Sequence, residues 1–172
     1  TIEPLHRLFA TSPFELYIFD TTSVHGGSMQ IYVRRRQPLV KEFSKNVAKI
    51  KKELVSYLTK QKKKGKRIVG FAASAKGMTL LNYCGLDYRM IDYIADGTSY
   101  KQGKFTPGTH IPIVPEEELK KNPPDIVLIL AWNFTEEILE KLQGRGYTFV
   151  IPVPKVEIQE DIVYDHHNKK HV

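Results

Sequence analysis

Two periods organise the apolar positions of this chain. From Pro38 to Gly65 the apolar residues Leu39, Phe43, Val47, Ile50, Leu54 and Leu58 recur every three or four positions, which predicts one long amphipathic helix. Beyond it come four short apolar runs, Ile68 to Ala72, Met90 to Ala95, Ile126 to Ala131 and Tyr147 to Ile151. Their connections are long enough for crossovers. Runs that are apolar throughout, with helical stretches between them, predict parallel strands covered by helices. Ahead of the long helix, FELYIF (14–19) and MQIYV (29–33) read as two strands. His25-Gly26-Gly27-Ser28 separates them like a turn, so they are expected to pair as a hairpin.

The later helices are punctuated. Pro115 opens EEELKK with acids in its first turn, and Thr135 opens EEILEKLQG, which Gly144 closes. The expected architecture is α/β: a Rossmann-like parallel sheet flanked by helices, with an N-terminal hairpin and the long amphipathic helix attached. Residues 1–36 form the hairpin segment joined to the domain, 37–158 the Rossmann-like domain, and 159–172 a tail ending DHHNKKHV that is expected to be poorly ordered.

Composition narrows the class. With 172 residues, 41% of them apolar, the chain suits one compact domain with a real core. Cys84 is the single cysteine, which excludes an internal disulfide framework and a multi-cysteine zinc site, and no metal is expected. No run reaches the ~18 apolar residues of a membrane span, and TIEPLHRLF lacks the layout of a signal peptide. No membrane partner is expected, and the cytoplasm is the expected compartment. The start at Thr1 rather than Met raises the expectation of a fragment or processed product, with function divided between this piece and another.

The formal net charge of +7 invites a nucleic-acid reading. Much of that charge lies in KQKKKGKR (60–67), directly after the long helix, where cations face the negative end of the helix dipole. Arg34-Arg35-Arg36 is a second, smaller cluster. Neither accompanies a nucleic-acid-binding signature, so nucleic acid ranks last among the partner classes.

Candidate chemistry gathers at the carboxyl ends of the predicted strands, where ligands bind in such sheets. GFAASAKG (70–77) ends the first core strand, and its Gly70, Ala72 and Ala75 imitate G-x-G-x-x-G with alanine in two places. Asp96 ends the next run, where a dinucleotide fold often keeps a ribose-binding acid. Alanine hinders the close approach of a pyrophosphate, and Lys76-Gly77 does not complete a P-loop. Lys76 itself, beside the amides that open the next helix, favours an anion. The connection DGTSYKQGKFTPGTHIPI (96–113) has no helical period; Pro107-Gly108 predicts a tight turn, Tyr100 and Phe105 are expected anchors, and Lys101 and Lys104 are expected near the strand ends. In LAWNF (130–134), Trp132 and Asn133 offer a stacking surface and an amide, or else Asn133 or Thr135 caps the next helix while Trp132 covers a core edge.

Four stretches in order, HGGSMQIYV, VGFAASAKGMTLLNYCG, YKQGKFTPGTHIPI, and PDIVLILAWNFTEEI followed by VIPVP, resemble the C-terminal domain of the sugar C-methyltransferase family. They span His25 to Pro154. The resemblance implies a larger protein with an N-terminal zinc-binding region, a central S-adenosylmethionine-binding domain and this Rossmann-like domain, acting on nucleotide-linked deoxysugars. No counterpart of the zinc cysteines or of the family's Tyr-x-Glu-His base group occurs here, and His6 lacks that context. The chain departs from the family's usual pattern at Phe71 to Ser74 and at Gly97-Thr98.

What the resemblance implies is a domain that faces a nucleotide-linked sugar, inactive without the methyltransferase domain of the same polypeptide. It expects no cofactor in this domain and S-adenosylmethionine in the other. Ser74, Lys76, Asn82, Lys101, Lys104, Trp132, Asn133 and His25 are the expected substrate contacts; the catalytic residues are not assigned. Two alternatives stand beside it: a domain with activity of its own, or a sugar-nucleotide-binding domain fused to a different sugar-modifying enzyme such as an acyltransferase, with His25 or His110 as a titratable group; and a basic nucleic-acid-binding module.

Overall fold

A computed structural model describes residues 3–22, 28–35 and 39–161. The chain divides into two compact units, Thr1–Val47 and Ala48–Val172.

The first unit holds helix α1 (Glu3–Ala10) and the antiparallel strands β1 (Phe14–Thr22) and β2 (Ser28–Arg35). The expected hairpin is present. Leu16 stands opposite Val33 and Ile18 opposite Tyr32, with a bulge between Leu16 and Ile18. Ser28, read as part of the turn, pairs with Thr22. Residues 23–27, His25 among them, lie outside the described residues.

Helix α2 (Leu39–Lys63) starts and stops where its periodicity predicts. Gly65, at φ 78°, turns the chain out of it, with the Gly65 N–H on the Lys62 carbonyl at 3.0 Å and the Lys66 N–H on the Gln61 carbonyl at 3.1 Å. The apolar stripe is unevenly used. Leu54 and Leu58 are fully buried, whereas Phe43 is 68% exposed.

The second unit is built on a six-stranded sheet in the order β5-β4-β3-β6-β7-β8. Strands β3 (Ile68–Phe71), β4 (Ile94–Ala95), β5 (Ile113–Val114), β6 (Ile126–Ile129) and β7 (Thr148–Ile151) are parallel, and β8 (Glu157–Glu160) runs antiparallel to β7. Each of the four apolar runs contains one parallel strand. The sheet is therefore mixed. Strand β5, inside the long connection, and β8, whose sequence EIQE carries one apolar residue, have no apolar run to announce them.

β8 also corrects the expected tail. Gln159 pairs with Phe149 and Glu160 with Thr148. The next residue, Asp161, accepts the N–H groups of Gly144, Arg145 and Gly146 at 3.0, 2.7 and 2.9 Å. Burial pushes the Asp161 carboxyl up, but these amides together with that of Tyr147 outweigh it and hold the group below the usual carboxylate range. Residues 162–172 lie outside the described residues.

Helices α3 (Ala75–Cys84), α4 (Glu118–Lys121) and α5 (Thr135–Leu142) complete the unit, α4 being a single turn. Alternate residues of each central strand serve opposite faces of the sheet. Ile68, Ile94, Ile126 and Leu128 pack with Leu54, Leu58 and Leu81 of α2 and α3. Val69, Phe71, Val127 and Ile129 pack with Leu119, Ile138 and Leu142 of α4 and α5. Each such fully buried aliphatic side chain contributes about 1.5–3 kcal/mol over an exposed one, so this two-faced core accounts for the unit's stability.

The basic stretch that ends α2 and follows it is partly consumed at the other end of the sheet. Lys62 and Arg67 pair with Asp92 at 2.6 and 3.3 Å, and Lys66 pairs with Asp125 at 2.7 Å. Among the described residues no helix is long and apolar enough to cross a membrane.

Candidate functional site

After β3 the chain adds β4 and β5 on one side and then crosses to β6 on the other, so the strand order switches between β3 and β6. A crevice opens at the carboxyl ends of two such strands. From β3, Ala72 at φ 67° donates its N–H to the Ala95 carbonyl at 2.8 Å, and Ser74 donates its N–H back to the Ala72 carbonyl at 2.9 Å. Ser74 then caps α3, its hydroxyl accepting the Gly77 N–H at 3.0 Å. The same hydroxyl donates to the Leu130 carbonyl at 2.7 Å, tying the β3 turn to the end of β6. This cap leaves the amides of Ala75 and Lys76 without intrahelical acceptors.

Glycine permits this closeness. A Cβ on Gly77 would stand 2.7 Å from the Leu130 Cβ and 3.0 Å from its carbonyl oxygen. A Cβ on Gly70 would meet Ile94 and Leu130 side-chain carbons at 2.9 Å. Gly70, the one glycine of the imitated pattern, thus serves close packing of β3 against its neighbours, and Gly77 serves the packing of α3 against the end of β6.

Facing this turn, β6 runs into a short 3₁₀ turn at Trp132–Phe134, with the Thr135 hydroxyl donating to the Trp132 carbonyl at 2.7 Å. Between the two segments lies a hollow of about 260 Å³, with Ser74, Lys76, Trp132, Asn133 and Phe134 on its walls. Its walls combine aromatic surface with one cation. Trp132 is half-buried against the cluster that includes Phe71 and Ile129, and Phe134 is 60% exposed. Lys76 is exposed, and neither its ammonium nor the Asn133 carboxamide has a side-chain partner among the described residues.

Of the expected contacts, then, Ser74, Lys76, Trp132 and Asn133 come together. Asn82, Lys101 and Lys104 lie elsewhere. Asn82 donates to the Met78 carbonyl at 2.9 Å and the Pro107 carbonyl at 3.1 Å, pinning α3 to the long connection. Gly108, at φ 79° in the predicted Pro107-Gly108 turn, has no room for a Cβ against that same Asn82. Lys101 turns inward, donating to the Ala73 carbonyl at 2.9 Å and to Asp96 at 3.4 Å. Lys104 lies over the Tyr100 ring at 5.9 Å, on the exposed side of the connection. His110 is exposed and absent from the walls of the hollow.

The anchoring of the connection differs from expectation. Tyr100 and Phe105 are 70% and 64% exposed. The buried pair Thr106 and Thr109 holds the loop instead, their hydroxyls 2.6 Å apart with Thr106 accepting the Ile111 N–H at 2.8 Å. A polar pair reaches the interior here because each hydroxyl satisfies the other.

Asp96 is buried and fully engaged. Its carboxylate accepts the Ala73 N–H at 2.6 Å and the Thr98 N–H at 2.8 Å, in addition to Lys101. Burial pushes its carboxyl up, but hydrogen bonds from Thr98 and Ala73 and the Lys101 charge outweigh that and hold it below the usual carboxylate range. Both oxygens are thus committed to the turn, not presented to a ribose. Together with the Ala73 amide spent on Asp96, this means that the β3 turn does not fit S-adenosylmethionine. Phe134 is a wall residue that the sequence reading does not single out. Its place beside Asn133 in LAWNF was the available signal.

Residues 37–154 match the family described as C-methyltransferase C-terminal domain. The chain is also 28% identical over 181 residues to the C-methyltransferase NovU of Streptomyces niveus, an alignment that covers 90% of this chain and 43% of that relative. The chain therefore spans less than half the length of the relative it matches.

Proposed function

The chain belongs to the C-methyltransferase C-terminal domain family, and from that premise we propose that it is the nucleotide-sugar-facing domain of an S-adenosylmethionine-dependent sugar methyltransferase. The observation that carries this reading is the hollow at the β3/β6 switch. It places an unpaired lysine and two free helix amides opposite Trp132 and Phe134. A phosphate of the nucleotide meets the Lys76 ammonium and the α3 amides, which favour negative charge. The base or sugar ring lies on the aromatic wall, and Asn133 supplies a directional hydrogen bond.

Methyl transfer needs a base at the sugar and a sulfonium donor aligned with it. Among the described residues, the walls of the hollow hold no carboxylate or imidazole. Both halves of the chemistry are accordingly assigned to the remaining part of the protein. Lys76 and Asn133 bind and orient, and Trp132 and Phe134 exclude water from one side of the ligand.

Trp132 is the single tryptophan, so its emission reports on the hollow directly. Titration with a dTDP-linked deoxysugar should change that emission saturably, and Lys76→Ala should weaken the apparent affinity about tenfold or more, the cost of one charge-assisted hydrogen bond. Unchanged emission and melting temperature across a panel of nucleotide-sugars would overturn the reading.

A further inference from the structure

Folding divides the basic run 60–67 into two sets. Lys62, Lys66 and Arg67 are paired with Asp92 and Asp125. Lys60, Lys63 and Lys64 are exposed and make no ion pair among the described residues. Together with Ser56 and Thr59 they line a groove of about 500 Å³. On α2, Ser56, Thr59, Lys60 and Lys63 follow the spacing i, i+3, i+4 and i+7, which sets them on one face. That face points away from Leu54 and Leu58, whose side chains are fully buried in the core.

The fold itself gives these three cations no counter-charge. Lys60 and Lys63, three positions apart on the helix, repel each other, and Lys64 adds a third ammonium one residue past the helix end. Cations near a helix C-terminus answer its dipole, but Lys62 already stands there, held on Asp92. The Gly65 and Lys66 amides also occupy the last-turn carbonyls of Lys62 and Gln61. A cluster that works against local stability with no compensating contact marks a functional site.

The walls of the groove define what it fits. Three ammonium groups call for several negative charges close together, and the two hydroxyls can donate to phosphate oxygens. Among the described residues the groove has no aromatic ring to stack a base and no guanidinium or carboxamide to recognise one. From Ser56 to Lys63 it runs about 10 Å along α2 at 1.5 Å per residue, which suits several linked phosphates better than one. It lies where α2 leads into β3, at the end of the sheet opposite the hollow of Ser74 and Trp132.

We propose that this groove binds an oligophosphate, a short run of linked phosphate groups, at a site separate from the nucleotide-sugar hollow. Lys60, Lys63 and Lys64 neutralise the phosphate oxygens, the Ser56 and Thr59 hydroxyls donate to them, and whatever the phosphates are attached to is left in solvent.

Titration of the 172-residue chain with sodium tripolyphosphate, at a constant ionic strength of about 0.15 M, tests this through backbone amide chemical shifts. The shifts should saturate at one ligand per chain and centre on Ser56 to Lys64. Lys60→Gln with Lys63→Gln should weaken the affinity at least about tenfold, whereas Lys76→Ala should leave it unchanged. ATP should bind as tripolyphosphate does and AMP much more weakly, because only the phosphates are held. Without ligand, the double variant should melt no lower than the parent chain, since its repulsion is relieved. A lower melting temperature with unchanged tripolyphosphate affinity would assign the lysines to the helix end and overturn the proposal. Equal weakening by Lys49→Gln with Lys52→Gln, one and two turns before Ser56, would do the same, because it is the mark of a long polyanion such as a nucleic-acid backbone tracking the helix. AMP binding as tightly as ATP would also defeat it. Binding lost in Lys76→Ala but kept in the double variant would place the phosphates in the hollow, defeating this proposal and leaving the nucleotide-sugar reading intact.

Discussion

The Ser74 hydroxyl donates to the Leu130 carbonyl at 2.7 Å, joining two residues that lie 56 positions apart at the one place where the sheet's strand order switches. The bond does more than cap α3. It sets the distance between the turn that carries Lys76 and the corner that carries Trp132, and so the width of the hollow.

Ser74→Ala removes the cap and leaves the Leu130 carbonyl without its donor. Loss of about 1–2 kcal/mol is expected, measured by urea denaturation. Lys76→Ala should leave that stability unchanged.

Gly77→Ala places a methyl group against the Leu130 backbone. The backbone cannot yield as a flexible side chain would, so α3 must move outward at a cost of about 1–3 kcal/mol. A lower denaturation midpoint with an altered Trp132 emission is the expected result.

Lys101 and Lys76 should behave as opposites. Lys101→Ala strips Asp96 of its cation and the Ala73 carbonyl of a donor, and should cost about 1–3 kcal/mol of stability with ligand affinity retained by the folded fraction. Lys76→Ala should weaken binding alone. Lys104→Ala, whose cation lies over an exposed ring, should alter neither by more than a small factor.

Acid should weaken the fold through Asp96 and Asp161. Both carboxyls lie below their ordinary range in the folded chain. Each therefore contributes stability that is fully present above the unfolded value of about 4 and is lost as pH falls through the lower folded value. Melting temperature should decline below about pH 4, and Asp96→Asn and Asp161→Asn should each flatten that decline while lowering stability at pH 7.

Cys84 is buried, and burial pushes its thiol up while Lys51 offsets part of the effect. Alkylation at pH 8 should be slow in the folded chain and rapid in denaturant. Its rate offers a check on the second unit in every variant.

The local pattern was enough for some of this and insufficient for the rest. Leu54 and Leu58 repeat with the helical period, and runs such as Ile126 to Ala131 are apolar on both faces, so helix α2, the hairpin and four parallel strands follow from spacing along the chain. Spacing carries no information on which distant groups meet. EIQE looks like any polar segment until β7 offers it an edge. Lys101 and Lys104, three residues apart in one loop, are alike in sequence; only folding brings Asp96 and the Ala73 carbonyl to the first and leaves the second on the surface. Sequence therefore determined the elements and the carboxyl-end location of Lys76 and Trp132, because periodicity and capping act within a few residues. Tertiary structure alone decided that those two share a hollow and that Lys101 does not, because a hydrogen bond requires groups within about 3 Å and that proximity exists only after the sheet has ordered its strands.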